Sequence, residues 1–145
     1  MTRQAAFWDS SALVPLCVHE ANSRRIYAEL RKFVPVVWWG TPIEIHSAIA
    51  REHRLGQLSD GEKQKALTQL EILVSGSKEI LPGDPVRELA LHLVDAHDLR
   101  AADSLQLAAA LVWCQNRPAR RNFLSADHRL SDAARAQGFK VVDLS

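Results

Sequence analysis

The sequence predicts an α/β fold with a mostly parallel sheet of about five strands flanked by helices. Short apolar runs alternate along the chain with amphipathic stretches of helical spacing. Strands that are separated by helices are typical of parallel sheets, because a parallel crossover needs a long connection. The chain has 145 residues, with 47% hydrophobic and 24% charged residues, and no internal repeat or linker. These features predict one globular domain over residues 1–145.

The first part of the chain is predicted to contain two strands and two helices. The apolar run at 5–8 predicts a strand, and a short helix at 10–17 follows it. Ile26, Leu30 and Phe33 have helical spacing, which predicts a helix over 20–33. The β-branched and aromatic run at 34–39 then predicts the second strand.

Two cap signals predict an antiparallel pair of helices between residues 41 and 76. Thr41 followed by Pro42 is typical of a helix start, with Thr41 as the N-cap. This helix is predicted to stop at Gly56. Ser59 and Glu62 then have the spacing of a capping box, which predicts the start of the second helix.

The second half of the chain continues the alternation of strands and helices. The segment 101–115 is rich in Ala and Leu, so we expect a mostly buried helix there. Gly138 has the position of a glycine that ends a helix. The predicted strands are 78–81, which is weak, 122–125 and 140–142, and the predicted helices are 84–97, 101–115 and 127–137.

Charge and cysteine content limit the class of protein. The net charge is +1, so any contact with nucleic acid must come from a local basic patch. Cys17 and Cys114 are the only cysteines, and they form neither a disulfide framework nor a CxxC motif. No apolar run is long enough for a membrane span or a signal peptide. We therefore expect a soluble, cytoplasmic protein with free thiols.

Four acidic residues carry the functional prediction: Asp9, Glu44, Asp103 and Asp127. Asp9 and Asp127 follow predicted strands directly, and Glu44 follows the second strand by one helical turn. The carboxyl ends of parallel strands meet at one edge of the sheet, where functional crevices lie. Asp103 lies near the start of a helix that is otherwise nearly all apolar. Carboxylates that converge there would repel one another unless a cation neutralises them.

Such a cluster predicts a divalent metal ion and phosphodiester chemistry. Mg²⁺ and Mn²⁺ prefer hard oxygen ligands and can activate a water for attack on a phosphate. Zinc is disfavoured, because the six histidines include no HExxH motif. A structural interpretation stays open for three of the acids. Asp9 and Asp127 have the positions of N-caps, and Glu44 has capping-box spacing from Thr41.

Four segments resemble the PIN-domain family, specifically its VapC-like toxin ribonucleases from type II toxin–antitoxin systems. The resemblance covers nearly all of residues 7–143. It implies a three-layer fold and a metal-dependent nuclease for single-stranded RNA. The segments are FWDSSALVPL, TPIEIHSAIAREHRLGQLS, LRAADSLQLAAAL and FLSADHRLSDAARAQGFKVVDL.

The resemblance also implies roles for individual residues. Asp9, Glu44, Asp103 and Asp127 would form the acidic set that binds Mg²⁺ or Mn²⁺. Asp9 and Asp103 would contact the ion directly, whereas the other two would act through water or at a second ion. Two small hydroxyl residues, Ser11 and Ser125, would orient an acid or a water.

Partners follow from the same resemblance. It implies a small VapB-like antitoxin that blocks the acidic cleft, and a homodimer of the toxin. We expect the helix pair between residues 41 and 76 to face the antitoxin. Ser104 and Gln106 replace the Ala and His that relatives frequently have, which affects how substrate is held rather than the metal site.

Basic residues near these segments are candidates for contact with RNA. Arg100 and Arg129 lie beside acidic residues in sequence and could pair with them or bind the RNA backbone. Arg117, Arg120 and Arg121 form a basic loop before the fourth predicted strand. Of these, Arg121 is the candidate for phosphate contact. A solvated loop without a partner is the alternative.

Three other functions stay open. The chain could be a PIN-domain nuclease of RNA processing without an antitoxin, or a non-catalytic module that binds metal or RNA. A phosphatase with Asp9 as nucleophile is disfavoured, because the second aspartate expected two residues later is Ser11. The sequence does not predict which RNA would be cleaved, since every RNA target demands the same metal chemistry.

Overall fold

The structure is a computed structural model that describes residues 2–145. Five strands form one sheet in the order β3-β2-β1-β4-β5, and all four neighbouring pairs are parallel. Every connection between consecutive strands contains at least one helix, as parallel pairing requires. The strands are β1 (Gln4–Trp8), β2 (Phe33–Trp38), β3 (Lys78–Ile80), β4 (Asn122–Ser125) and β5 (Lys140–Asp143). The helices are α1 (Ser10–Cys17), α2 (Ser23–Leu30), α3 (Thr41–Arg54), α4 (Asp60–Ser75), α5 (Asp84–Ala96), α6 (Ala101–Trp113) and α7 (His128–Gln137).

The helices cover both faces of the sheet, which gives the predicted three-layer α/β fold. Successive side chains of a strand point to opposite faces. Phe7 and Phe123 therefore pack with α5, α6 and α7, and their rings stack with centroids 5.5 Å apart. Trp8 and Leu124 point the other way and pack with α1 to α4. Burying a large apolar side chain stabilises the fold by roughly 1.5–3 kcal/mol, so both layers contribute to holding the sheet.

The helix predicted over 20–33 is shorter at both ends, because α2 spans only Ser23–Leu30. The Ser23 hydroxyl accepts a hydrogen bond from the Glu20 backbone N–H and donates one to the Pro15 carbonyl. These bonds hold 20–22 in a turn. Phe33 begins β2 instead, where it pairs with Gln4 of β1. The helical spacing between Leu30 and Phe33 therefore does not reflect a shared helix, because Phe33 belongs to the strand.

The cap predicted at Thr41 is also wrong. Gly40 is the N-cap residue of α3, and Thr41 lies inside the first turn, buried and without a capping bond. The capping box of α4 is confirmed: Ser59 Oγ accepts from the Glu62 N–H, and Glu62 Oε1 accepts from the Ser59 N–H. Gly138 ends α7 in the left-handed conformation, as predicted.

Among residues 2–145, no helix combines the length and the apolar character that crossing a lipid bilayer would need.

Candidate active site

Asp9 lies at the carboxyl end of β1 and is the most buried of the four acids, with 2% of its surface exposed. Its Oδ1 accepts hydrogen bonds from Ser11 Oγ at 2.7 Å and from the Ala12 N–H at 3.2 Å. Its Oδ2 accepts one from Ser125 Oγ at 3.1 Å. Asp9 is therefore the N-cap of α1, but its second oxygen is directed to β4. The cap interpretation and the site interpretation both apply to this residue.

The hydroxyls of Ser11 and Ser125 connect the ends of β1 and β4. Ser11 Oγ accepts the Ala126 N–H at 2.9 Å, and Ser125 Oγ accepts the Asp127 N–H at 3.0 Å. The two oxygens are 3.4 Å apart. Both predicted supporting residues thus contact Asp9 directly, and they hold the Asp9 carboxylate beside the turn that carries Asp127.

Glu44 lies in the first turn of α3 and is directed away from its own helix end. Its Oε1 accepts from Ser10 Oγ at 3.1 Å, and its Oε2 accepts from Gln106 Nε2 at 2.8 Å. The predicted capping box between Thr41 and Glu44 is absent. The carboxylate instead links α3 to α1 and α6, which places it with the residues at the carboxyl edge of the sheet.

Gln106 is a residue of this site whose role the sequence reasoning missed. It is 1% exposed, and its Nε2 donates both to Glu44 and to Thr41 Oγ1, at 2.9 Å. Within the described residues its Oε1 has no partner. A signal was present, because a buried polar side chain in an Ala- and Leu-rich helix needs hydrogen-bond partners. Its bond to Glu44 fixes the direction of that carboxylate.

Asp103 and Asp127 complete the set from two further helices. Asp103 is half-buried in the first turn of α6. Asp127 is the N-cap of α7, and its Oδ1 accepts from the Leu130 N–H at 3.1 Å. Helix N-termini favour negative charge, so both positions stabilise a carboxylate locally. The structure therefore brings all four predicted acids to the carboxyl edge of the sheet.

The electrostatics show that these carboxylates lie close enough to repel one another. Burial raises the pKa of Asp9 to about 7, against the opposing hydrogen bonds from Ser11, Ala12 and Ser125. The charge of Asp127 raises the pKa of Asp9 further.

The two remaining acids with shifted values show the same pattern. Burial raises the pKa of Glu44, opposed by bonds from Gln106 and Ser10, and the charge of Asp103 raises it further. Burial also raises the pKa of Asp103, and Asp127 adds to the effect. The four acids thus form a chain of mutual repulsions, the situation that a bound cation would relieve.

The donors at this edge are oxygens, the ligand type of a hard divalent cation. Across residues 2–145, no three His, Cys, Asp or Glu side chains lie close enough together to hold a metal ion. A structural zinc site needs such a group, whereas Mg²⁺ usually takes one or two carboxylates and keeps several waters. The carboxylates here are oriented by hydroxyl and amide donors. In their chemistry they fit Mg²⁺ or Mn²⁺ better than zinc, with at most two of the acids on one ion.

The three predicted RNA-binding arginines divide between the two ends of the sheet. Arg100 and Arg129 are exposed and near Asp103. The pKa of Asp103 is raised overall, and the charges of these two arginines oppose that rise. Arg129 also pairs with Asp98 at 3.7 Å. Arg121 precedes β4, so it lies at the amino end of that strand, opposite the acids. Its guanidinium stacks 5.3 Å from the centre of the Trp113 ring, and it does not join the acidic site.

Comparisons with known proteins support the fold. No protein-family profile matches this chain, and no curated protein matches it in sequence. Solved structures, in contrast, match over nearly the whole chain, and three of them illustrate the likeness. The first is a toxin–antitoxin complex from Klebsiella pneumoniae, with 14% identity and a TM-score of 0.64 over 97% of this chain and 98% of the other.

Two further matches have similar scores. PAE2754 from Pyrobaculum aerophilum has 18% identity and a TM-score of 0.65, over 97% of this chain and 90% of the other. FitAcB from Neisseria gonorrhoeae has 16% identity and a TM-score of 0.67, over 96% and 97%. At such identities the likeness establishes the shared fold, and residue roles must be argued from this chain itself.

Proposed function

We propose that this protein is a Mg²⁺- or Mn²⁺-dependent endoribonuclease that acts as the toxin of a toxin–antitoxin pair. One observation carries the proposal. Asp9 is a buried carboxylate with a pKa raised to about 7, and three more acids from separate helices lie at the same edge of the sheet. Perturbed carboxylates that converge in this way are typical of functional sites rather than of structural ones.

In the proposed mechanism each residue has a distinct task. Asp9 and Asp103 would hold the ion, and Glu44 and Asp127 would position its waters or a second ion. When bound, such an ion lowers the pKa of an attacking water and stabilises negative charge on the scissile phosphate. Ser11 and Ser125 keep both oxygens of Asp9 in place. Arg100 and Arg129 are exposed beside Asp103, where they would contact the RNA backbone.

The toxin assignment is supported by the fold and by an exposed apolar groove. One structure of the same fold is a toxin–antitoxin complex. The groove, of about 660 Å³, runs between α3 and α4 and includes Pro42, Ile43, Leu70 and Val74. Ile43 is 64% exposed, although an isolated surface would favour a polar residue there. We place a small antitoxin on this helix pair and propose a cytoplasmic homodimer as the toxin.

An RNA cleavage assay with purified protein tests the enzymatic part. We expect cleavage of single-stranded RNA in Mg²⁺ or Mn²⁺ and none in EDTA. Asp9→Asn and Asp103→Asn should each lower the rate by at least about 100-fold, because each removes a charged ligand. Asp95→Asn is the matched control, since Asp95 is exposed on α5 and should leave the rate unchanged. Full activity in Asp9→Asn or Asp103→Asn would exclude the proposed mechanism.

Expression in cells tests the toxin part. Growth arrest by the wild type but not by Asp103→Asn, together with new RNA 5′ ends, would establish toxicity and identify the cleaved RNA. Cleavage in vitro without growth arrest would instead assign the protein to RNA processing. Tight RNA binding without turnover at any metal concentration would favour a regulatory module.

A further inference from the structure

The amino edge of the sheet, opposite the acids, carries a row of cations. All five strands are parallel, so their amino ends lie side by side. A positively charged residue begins or directly precedes every strand. Neighbouring strands are about 4.8 Å apart, so the row extends for roughly 19 Å. In the order of the sheet, these residues are Lys78, Lys32, Arg3, Arg121 and Lys140, and Arg31, Arg117 and Arg120 lie next to them in sequence.

Most of this charge is not neutralised. Lys32 lies 3.6 Å from Glu29. Within residues 2–145, no carboxylate lies within 4 Å of the side-chain nitrogens of Arg117, Arg120, Arg121 or Lys140. All four of these residues are exposed. The net charge of the whole chain is only +1, so this edge is a local concentration of positive potential.

A pocket of about 420 Å³ lies in the middle of this edge, lined by Gln4, Ala5, Arg120, Arg121 and Asn122. Asn122 is 7% exposed, and within residues 2–145 its side-chain amide is not among the buried polar atoms that lack a partner. The amide therefore reaches solvent at the pocket and can donate to an anion bound there, beside Arg120 and Arg121.

One arginine of the loop before β4 has a left-handed backbone conformation. Arg120 has a φ of 67°, and Gln115 and Asn116, earlier in the same loop, have values of 54° and 58°. Left-handed residues other than glycine cost free energy. The Arg121 guanidinium lies 5.3 Å from the centre of the Trp113 ring, which restricts the side chain beside the pocket.

We propose that this edge is a second nucleic-acid surface, on which the pocket of Gln4, Arg120, Arg121 and Asn122 binds one backbone phosphate of RNA. Lys140, the ladder partner of Asn122, and Arg117 bind the neighbouring phosphates. Guanidinium and amide donors suit phosphate oxygens. A linear row of cations fits a linear polyanion better than the compact charge of an acidic protein. The surface is separate from the acidic site, and it depends on the proposed function only for the choice of RNA.

RNA binding in EDTA tests this surface independently of cleavage. Fluorescence anisotropy with a short labelled single-stranded RNA would be measured over a range of salt concentrations. We expect Gln4→Glu, which places a carboxylate in the pocket at an exposed position, to weaken binding by about five- to tenfold and to lower the salt slope by about one. Gln64→Glu, on the exposed face of α4, makes the same change of charge and should alter the affinity by less than about twofold.

A second variant removes a pocket cation without risk to the fold. Arg120→Gly suits the left-handed backbone, so its melting temperature should not fall, while its RNA affinity should fall as in Gln4→Glu. Unchanged RNA affinity in both pocket variants would overturn the proposal. Two other results would also overturn it. In one, inorganic phosphate saturates the pocket and RNA does not compete with it. In the other, polyglutamate binds more tightly than RNA.

Discussion

Asp9 shows how burial and hydrogen bonding compete at a single residue. Three donors favour its charged form, yet its pKa is raised to about 7, so desolvation is the larger effect. An acid whose pKa is higher in the folded state favours folding when it is protonated. This contribution is complete below pH 3.8 and is lost as the pH rises towards 7. Above pH 7 the metal-free protein must hold a buried negative charge.

The variant Asp9→Asn tests this cost directly. Asparagine keeps the oxygen that accepts from Ser11 and Ala12, and its amide can donate to Ser125, whose hydroxyl accepts instead. We expect the metal-free variant to be more stable than the wild type at pH 8, by a few kcal/mol at most, and to have nearly equal stability near pH 4. Urea unfolding in EDTA at both pH values measures the difference. Lower stability of the variant at pH 8 would contradict the expectation.

The residues around Glu44 show where local sequence rules fail. The spacing of Thr41 and Glu44 predicted a capping box, but both side chains bond to Gln106 of α6 instead. Gln106 is 62 residues away from Glu44 in sequence, so no local pattern could reveal the contact. The cap rule describes an isolated helix end, whereas this helix end is covered by another helix. Because the Glu44 carboxylate is partly buried beneath α6, it bonds to Gln106 of that helix instead of to its own helix end.

At the scale of elements, α7 depends on a close contact at its C-terminal end. Gly138 ends the helix with a φ of 106°, and an added Cβ would lie 3.2 Å from Cγ of Pro118. Pro118 belongs to the loop that carries Arg117, Arg120 and Arg121. The end of α7 therefore lies close to the basic loop, with little room between them for a larger residue than glycine at position 138.

Gly138→Ala should destabilise the protein for two reasons, the left-handed backbone and the contact with Pro118. We expect a loss of about 2 kcal/mol or more. Gly56→Ala is the matched comparison, because Gly56 has a φ of 78° and no atom within 4 Å of an added Cβ. It should lose about 1 kcal/mol from the backbone alone. Urea midpoints with unchanged m-values measure both losses; a smaller loss at Gly138 than at Gly56 would show that the Pro118 contact has no cost.

At the scale of the whole molecule, the parallel sheet separates charge between its two edges. Acids collect where the strands end, and cations collect where the strands begin. Every strand points in the same direction, so local charges that follow or precede strands add up instead of cancelling. A nearly neutral chain thereby presents an acidic edge, the proposed metal site, and a basic edge, the proposed phosphate surface.

This arrangement predicts that metal ions stabilise the fold in a manner that depends on pH. An ion must displace the proton of Asp9, whose pKa is about 7, so protons compete with it below that pH. The apparent affinity for Mn²⁺ should fall by up to about tenfold per pH unit below pH 7. Melting curves should therefore show a larger increase in Tm with Mn²⁺ at pH 8 than at pH 5. Asp9→Asn is the control and should show a smaller dependence, because the raised pKa values of Glu44 and Asp103 remain. An equal increase for the wild type at both pH values would contradict the prediction.

The sequence by itself determined the fold class and the order of the elements, and it predicted that four acids would lie at one edge of the sheet. Apolar periodicity reports which faces are buried, and residues directly after strands reach one edge by topology alone. Only the tertiary structure decided which atoms meet: Ser125 with Asp9, Gln106 with Glu44, and Arg121 with Trp113 at the far end of the sheet. These contacts join residues that are distant in sequence. A buried polar group needs a hydrogen-bond partner because burying it unpaired costs free energy. That cost arises only when the layers pack, so the sequence alone does not identify the partner.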